Sequence, residues 1–524
     1  MRQVFFLFLL LLSFTHIQAQ PITSVGIDSL VERTLKAFDV PGIAVAVVKD
    51  GKLVHSKGYG VRSLKTGKPV DENTMFCIAS NSKAFTAAAL AILVDEGKIK
   101  WDDKVREYIP EFMMYDPYVT EAFTIRDLLT HRSGLGLGAG DLMMFPDSSN
   151  FTVNDIIHNL RYLKPVSGFR SKYDYDNNLY VVAGEVVARV SGKSWGEFVE
   201  QRIFEPLGMS GSASSFAGLK NKTNVVDPHS KVNGTVQVIR RNQIPVAQAA
   251  GGIYSNISEL SKWVTLQLAH GKLGNGKRLF SETVHEEMWT PQTIVPAGAP
   301  GRYNTHFAAY GLGFFINDVK GYKQLSHTGG IDGMVTQITM LPELGLGIIV
   351  LTNQEEGSAF RAITNQIKDS YLGLNGTDHV AELAAKRRDA LKKATGITDS
   401  IWRMVDAASK TTQPDFNQVA GTYEDPWFGE VTIKMKNGKP WFESARSPFI
   451  SGELLYLKGN TYVARWTKRN MDADAYVNFV LDEAGKAKGM TMHAISPLTD
   501  FSYDFHDLDF KRKEIKSEEP QRKI

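Results

Sequence analysis

The sequence predicts an α+β domain, an antiparallel sheet flanked by helices with an all-α region, followed by a small C-terminal β-barrel. Three observations carry that prediction. Strand-like apolar runs occur at 42–60 and again at 323–354, with helical runs and glycine-containing loops between them, so one sheet is assembled from both ends of this stretch. A charged helical stretch follows at 379–414. Beyond it, 415–512 changes to short alternating runs broken by turns such as "KNGK" and "LKGNT", the pattern of a small all-β unit. The 524 residues, 43% hydrophobic and 22% charged, suffice for two packed cores.

In chain order, residues 1–20 come first, with a basic start, an apolar run from Val4 to Phe14, and small or polar residues up to Ala19 and Gln20. That run is too short to span a bilayer and reads as a cleaved signal peptide. Export, to the periplasm of a bacterium, is therefore expected, with no stable membrane insertion after cleavage. The main domain is placed at 21–378. Within it "DSLVERTLKAF" has helical apolar spacing, and "GIAVAVVKDGKLVHSKGYG" reads as a hairpin turning at Asp50-Gly51. An apolar helix from about Ser80 to Glu96 ends at Gly97. The tail 513–524 mixes charges of both signs and reads as a solvated end.

Composition excludes several classes. Sixty lysines and arginines against 57 acidic residues leave a net charge of +3, which gives no case for nucleic acid or an acidic membrane surface as partner. Cys77 is the only cysteine, so neither an internal disulfide nor a cysteine-rich metal site is available. It reads as a small buried apolar residue. "HEEMW" at 285–289 starts like a zinc helix, but Trp289 stands where the second histidine is needed. "GLGLGAG" at 134–140 lacks the preceding strand of a phosphate cradle, and no glycine-flanked serine elbow occurs.

A serine followed three residues later by a lysine occurs once, at Ser80–Lys83. On a helix these positions share a face, so hydroxyl and amine can meet. Two readings stand: Ser80 or Ser82 caps the helix with Lys83 in solvent, or Ser80 is a nucleophile with Lys83 as its base. Two further stretches bear on the choice. Tyr175 and Asn177 stand two apart before an apolar helix ending at Gly192, and a strand ends in His327-Thr328-Gly329-Gly330.

Taken in order, Ser80-x-x-Lys83, Tyr175-x-Asn177 and His327-Thr328-Gly329 resemble the motifs of the penicillin-recognising serine hydrolases: class C β-lactamases, low-molecular-weight penicillin-binding proteins, and related esterases and D-aminopeptidases. "TIRDLLTHRSGL" (124–135) and "AAGGIYSNISELSKW" (249–263) are similar to flanking stretches of that family. The resemblance covers about residues 25–375, and 415–512 resembles the lipocalin-like barrel often appended to such hydrolases. It implies a β-lactamase-like transpeptidase fold and an acyl-enzyme on Ser80. Lys83 must be buried to act as a base, since a free amine titrates near 10.4. Tyr175 is implied to pass protons, Asn177 to hold a substrate amide, and the backbone N–H groups of Ser80 and Gly330 to form the oxyanion hole. Whether Lys83 or Tyr175 is the acylation base is left open. β-Lactamases usually carry lysine where His327 stands; histidine is mostly neutral at pH 7 and holds a carboxylate poorly.

The resulting expectation is an exported serine acyl-hydrolase for an ester or amide, D-residue substrates included, with weak or no β-lactam turnover. It needs no metal or organic cofactor and can form homo-oligomers. The alternatives are a non-turnover penicillin-binding or cell-wall sensing protein of the same fold, and a small-ligand carrier built on the barrel beside a dead hydrolase.

Overall fold

The computed structural model describes residues 21–411 and 414–514, so the expected signal peptide lies outside the described residues. The N-terminal hairpin pairs β1 (Gly42–Lys49) with β2 (Lys52–Gly60). Asp50 and Gly51 both take positive φ, as a two-residue hairpin turn requires. The other strands of this sheet are β3 (Thr293–Val295), β4 (Ala308–Tyr310), β5 (Phe315–Val319), β6 (Tyr322–Ile331), β7 (Met334–Leu341) and β8 (Leu346–Thr352). They form one antiparallel sheet ordered β2-β1-β8-β7-β6-β5-β4-β3. The pairing of β1 with β8 joins the two ends of the domain, as the sequence pattern predicts.

β1 and β8 are buried on both faces, which explains their unbroken apolar character. Ile43, Val45 and Val47 face helices α1 (Ser24–Phe38) and α5 (Gly357–Tyr371) through Val31 and Ile363. Ala44, Ala46 and Val48 face the larger helical layer, which holds α2 (Ser82–Asp95), α3 (Asn178–Ser191) and α4 (Ile257–Leu268). Small residues are needed there: a Cβ on Gly347 would lie 2.2 Å from Val264 of α4. Helix α2 is buried continuously from Ser82 to Leu93, so it has no polar face and forms the axis of the layer.

Helix α6 (His379–Ala408) is 30 residues long and begins where the Asp378 carboxylate accepts the Val380 and Ala381 N–H groups. Val380 and Ala384 near its start belong to the core beneath the sheet. Val405 near its end packs on Leu457, Val463 and Ile495, on the C-terminal unit. That unit is a closed barrel of eight antiparallel strands between Gly421 and Arg512. Tyr423, Phe442, Trp466, Phe479 and Phe510 are fully buried in its core. The small-ligand carrier requires a hollow barrel, and this one is filled by its own side chains.

Among the cations that tie the barrel to the N-terminal unit, Lys468 is the most buried. Lys468 Nζ lies 3.1 Å from Asp147 and 3.2 Å from Asp332, and all three side chains are largely buried. Removing one partner of a buried ion pair leaves charge without compensation. Lys468→Met should therefore cost about 3 kcal/mol. In urea unfolding followed by far-UV circular dichroism, the midpoint should fall relative to wild type.

Candidate active site

Ser80 lies in a single 3-10 turn, Ala79–Asn81, between the short strand Phe76–Cys77 and α2. The helix proper starts at Ser82, two residues later than the sequence suggests. Ala79 has φ +45°, a left-handed conformation that costs an L-residue about 1–2 kcal/mol. Neighbours hold this elbow in place. Ile78 N–H donates to Ile253 O at 2.9 Å, and Ile253 N–H donates to Ser82 Oγ at 3.1 Å. Asn81 Nδ2 donates to Thr336 Oγ1 at 2.9 Å, and that hydroxyl donates to Ile78 O at 2.9 Å. Neither Ser80 nor Ser82 caps the helix through its side chain, so the capping reading fails. Gly329 of β6 is sterically required, because a Cβ there would sit 2.1 Å from Ile78 O.

Lys83 is 0% exposed. Its Nζ lies 3.1 Å from Ser80 Oγ, 2.7 Å from Asn177 Oδ1 and 2.9 Å from Ala250 O. All three partners are uncharged. Burial pushes the amine down to about 7, while Asp141 and Asp176 oppose the shift. The geometry suits the neutral amine: two hydrogens go to Asn177 and Ala250, leaving the lone pair for the Ser80 hydroxyl proton.

Asn177 is clamped at both ends, since its Nδ2 donates to Asp141 Oδ2 at 2.7 Å while its Oδ1 accepts from Lys83. Lys83 and Asp141 are its protein partners, and Asn177 also lines the cavity in front of Ser80. Capping of α3 falls instead to Asp176, whose Oδ1 accepts the Leu179 N–H at 3.3 Å. Burial pushes Asp176 up to about 7 and Asp141 well above the usual carboxylate range. The Tyr175 hydroxyl faces Ser80 without reaching hydrogen-bond geometry. Burial holds that phenol far above its ordinary value, so it stays protonated. The His131 ring lies 4.2 Å from that of Tyr175, and its Nδ1 accepts the Asp176 N–H at 3.0 Å.

His327 is buried and uncharged. Its Nε2 is 2.9 Å from Tyr310 Oη and its Nδ1 is 2.6 Å from Thr328 O. Burial, then the nearby Lys83, pushes it down to about 3. On the β5 side of β6, pairing ends at Ser326 opposite Phe315, so His327–Ile331 present an unpaired edge to Ser80 and its surroundings. Gly330 lies on that edge, where an added Cβ would meet nothing within 4 Å.

A family model described as "Beta-lactamase" matches residues 27–372, and a domain of unknown function (DUF3471) matches 406–512. The chain belongs to the β-lactamase family. Among its relatives, the Unguisins hydrolase ungD' of Aspergillus campestris is 27% identical over 421 residues, covering 77% of this chain and 76% of that one. Protein flp of Staphylococcus aureus is 25% identical over 334 residues, 62% of each chain. The octameric penicillin-binding protein homologue from Pyrococcus abyssi superposes with a TM-score of 0.60 at 22% identity, covering 90% of this chain and 98% of that one. A class C β-lactamase gives 0.54 at 21% identity, covering 67% and 96%.

In this β-lactamase-family chain, Ser80, Tyr175, Asn177, His327 and Gly330 line one cavity of about 610 Å³, with Lys83 directly beneath Ser80. Its walls are mostly apolar, with Leu137, Phe216 and Phe315 among them. Cys77 borders it, but burial pushes its thiol up to about 11, which leaves it protonated and inert. Two contributors escape a reading of the sequence. Asn242 is 4% exposed, lines the cavity, and has no protein partner at either end of its side-chain amide. Asp500, Phe501 and Ser502 reach the same cavity from the barrel unit. Neither segment carries a motif. Among the described residues, His270, Glu282 and Glu286 bring three ligand atoms within 4.8 Å of one another, but none of them lines this cavity.

The neutral amine of Lys83 is the form that can take a proton from Ser80. Reactivity of Ser80 toward a fluorophosphonate should therefore rise with pH through about 7 and level off above it. Asp176 titrates in the same range and should broaden the limb. Labelling rates measured from pH 5 to 9 test this; a flat profile would contradict it.

Proposed function

We propose that this chain is an exported serine acyl-hydrolase that works through a covalent acyl-enzyme on Ser80. The observation that carries the reading is Lys83: a buried amine pushed down to about 7, at 3.1 Å from the Ser80 hydroxyl. Ser80 Oγ attacks the substrate carbonyl carbon while its proton passes to Lys83 Nζ. The tetrahedral oxyanion is met by the Ser80 and Gly330 backbone N–H groups, fixed donors that need no reorganisation. Collapse breaks the bond to the leaving group, which takes a proton from the Tyr175 phenol, and Lys83 restores that proton. Water then attacks the acyl-Ser80 ester, giving one proton to Lys83, and Ser80 recovers its hydrogen as the acid departs. Tyr175 acts as proton carrier rather than initial base, because its phenol is held far above 10 while the amine sits near neutrality.

The charge pattern bears on substrate choice. A neutral His327 supplies no cation for the carboxylate of a β-lactam, which supports weak or absent β-lactamase activity. An unpartnered, buried Asn242 amide supports a substrate with an amide of its own, D-residue peptides included, since such an amide can pair with both ends of the side chain. The hydrolase relative from Aspergillus fits an enzyme better than a non-turnover binding protein. The apolar N-terminal run supports export to a periplasm.

Ser80→Ala should abolish fluorophosphonate labelling of the peptide that contains residue 80, while wild type turns over aminoacyl amides or phenyl esters and hydrolyses a chromogenic cephalosporin slowly or not at all. Efficient steady-state cephalosporin cleavage would reverse the substrate ranking. Asn242→Leu should lower kcat/KM for an aminoacyl amide about tenfold more than for a phenyl ester, the worth of one hydrogen bond. Equal losses on both would remove Asn242 from amide recognition.

A further inference from the structure

The "GLGLGAG" stretch is not a phosphate cradle, yet its glycines are put to use. Gly138 has φ +72°, and a Cβ there would lie 2.7 Å from Phe501 O and 2.8 Å from the Phe501 ring. Its N–H donates to Tyr175 O at 2.8 Å. Two residues on, Gly140 N–H and Leu142 N–H donate to the Asp504 carboxylate at 2.7 and 3.0 Å. The stretch is thus a socket for a loop of the barrel. Phe501 at the tip of that loop sets its ring edge-on to Tyr175, with centroids 5.8 Å apart at 83°. The loop also connects to the catalytic amine. Asp504 holds the turn that carries Asp141, Asp141 holds Asn177, and Asn177 holds Lys83.

We infer that the C-terminal domain of unknown function is a specificity element of the active site, with Phe501 as the wall that limits the breadth of the acyl group. The inference rests on the acyl-hydrolase reading of the same cavity. The occupant it selects is a narrow, uncharged, apolar acyl group. Leu137, Met144, Phe145, Phe216 and Phe315 supply other apolar walls, and among the described residues the only charged lining side chains are Asp500 and Arg361. A bulky acyl group must displace Phe501, whose backbone lies close against Gly138 and whose loop is pinned through Asp504.

The test uses the full chain and two esters, p-nitrophenyl acetate and p-nitrophenyl 4-phenylbutyrate. Phe501→Ala should raise the ratio of kcat/KM for the bulky ester over the small one by about tenfold, and Phe501→Trp should lower it. A ratio within twofold of wild type in both variants would overturn the inference. Absence of any Ser80-dependent turnover in wild type would instead mark failure of the hydrolase reading. A second measurement covers that case. In the Ser80→Ala background, calorimetric binding of the bulky ester should tighten about tenfold on adding Phe501→Ala. Equal affinity with and without that change would overturn the inference independently of turnover.

Discussion

The contact between the Lys83 amine and the Ser80 hydroxyl constrains the rest of this structure. A lysine shifted from 10.5 to about 7 differs from its free form by about 5 kcal/mol. Sequestration on that scale requires a helix with no solvent face, and α2 is buried from Ser82 to Leu93. It also requires neutral acceptors, because a carboxylate in direct contact would hold the proton on the amine. The site supplies an asparagine oxygen and a backbone carbonyl. The nearest carboxylate, Asp141, is kept one residue away, on the far side of Asn177.

Such a site cannot be assembled from one segment. Its parts come from the start of α2, the turn before α3, the Gln248–Gly251 turn and the open edge of β6. Placing β6 against the elbow demands Gly329, and bringing β1 beside β8 holds the two ends of the domain in register. The left-handed Ala79 is the strained point of this assembly. Hydrogen bonds from Ile253, Asn81 and Thr336 around it offset the strain.

What could be read from the sequence divides along a physical line. Elements whose signal is periodic or local were legible: the hairpin at Asp50-Gly51, the strand runs at 42–60 and 323–354, the largely apolar α2, and the short alternating strands of the barrel. Ser80, Lys83, Tyr175, Asn177 and His327 stand in ordered motifs, and the structure brings four of them to one cavity with Lys83 in contact with Ser80 beneath it. The partners of these residues were not legible. Asn177 faces a lysine and an aspartate, and Asp176 accepts the Leu179 N–H at the start of α3. The loop holding Phe501 and Asp504 lies over 350 residues from the glycines that receive it, and no periodicity records a contact at that separation. Asn242 sits in a loop with no pattern at all, and only its burial without a partner singles it out.

The exchange of lysine for histidine at position 327 follows the same electrostatic logic as the amine itself. A permanent cation beside Lys83 would push that amine further down and supply a counter-ion for an anionic substrate. Histidine, pushed down to about 3, adds no charge and spends its ring nitrogens on Tyr310 and the Thr328 carbonyl. Its role becomes one of shape, packing against Tyr310 and Phe315 with rings at 5.8 and 5.5 Å. The result is a site where burial holds the Lys83 amine down to about 7 and His327 adds no charge beside it. Next to Ser80, selection then falls to the apolar walls and the unpartnered Asn242 amide, with Arg361 and Asp500 as the charged side chains of the lining. The barrel's aromatic tip belongs to those walls, which gives a β-lactamase-related domain a physical reason to keep a second domain at the mouth of its cleft.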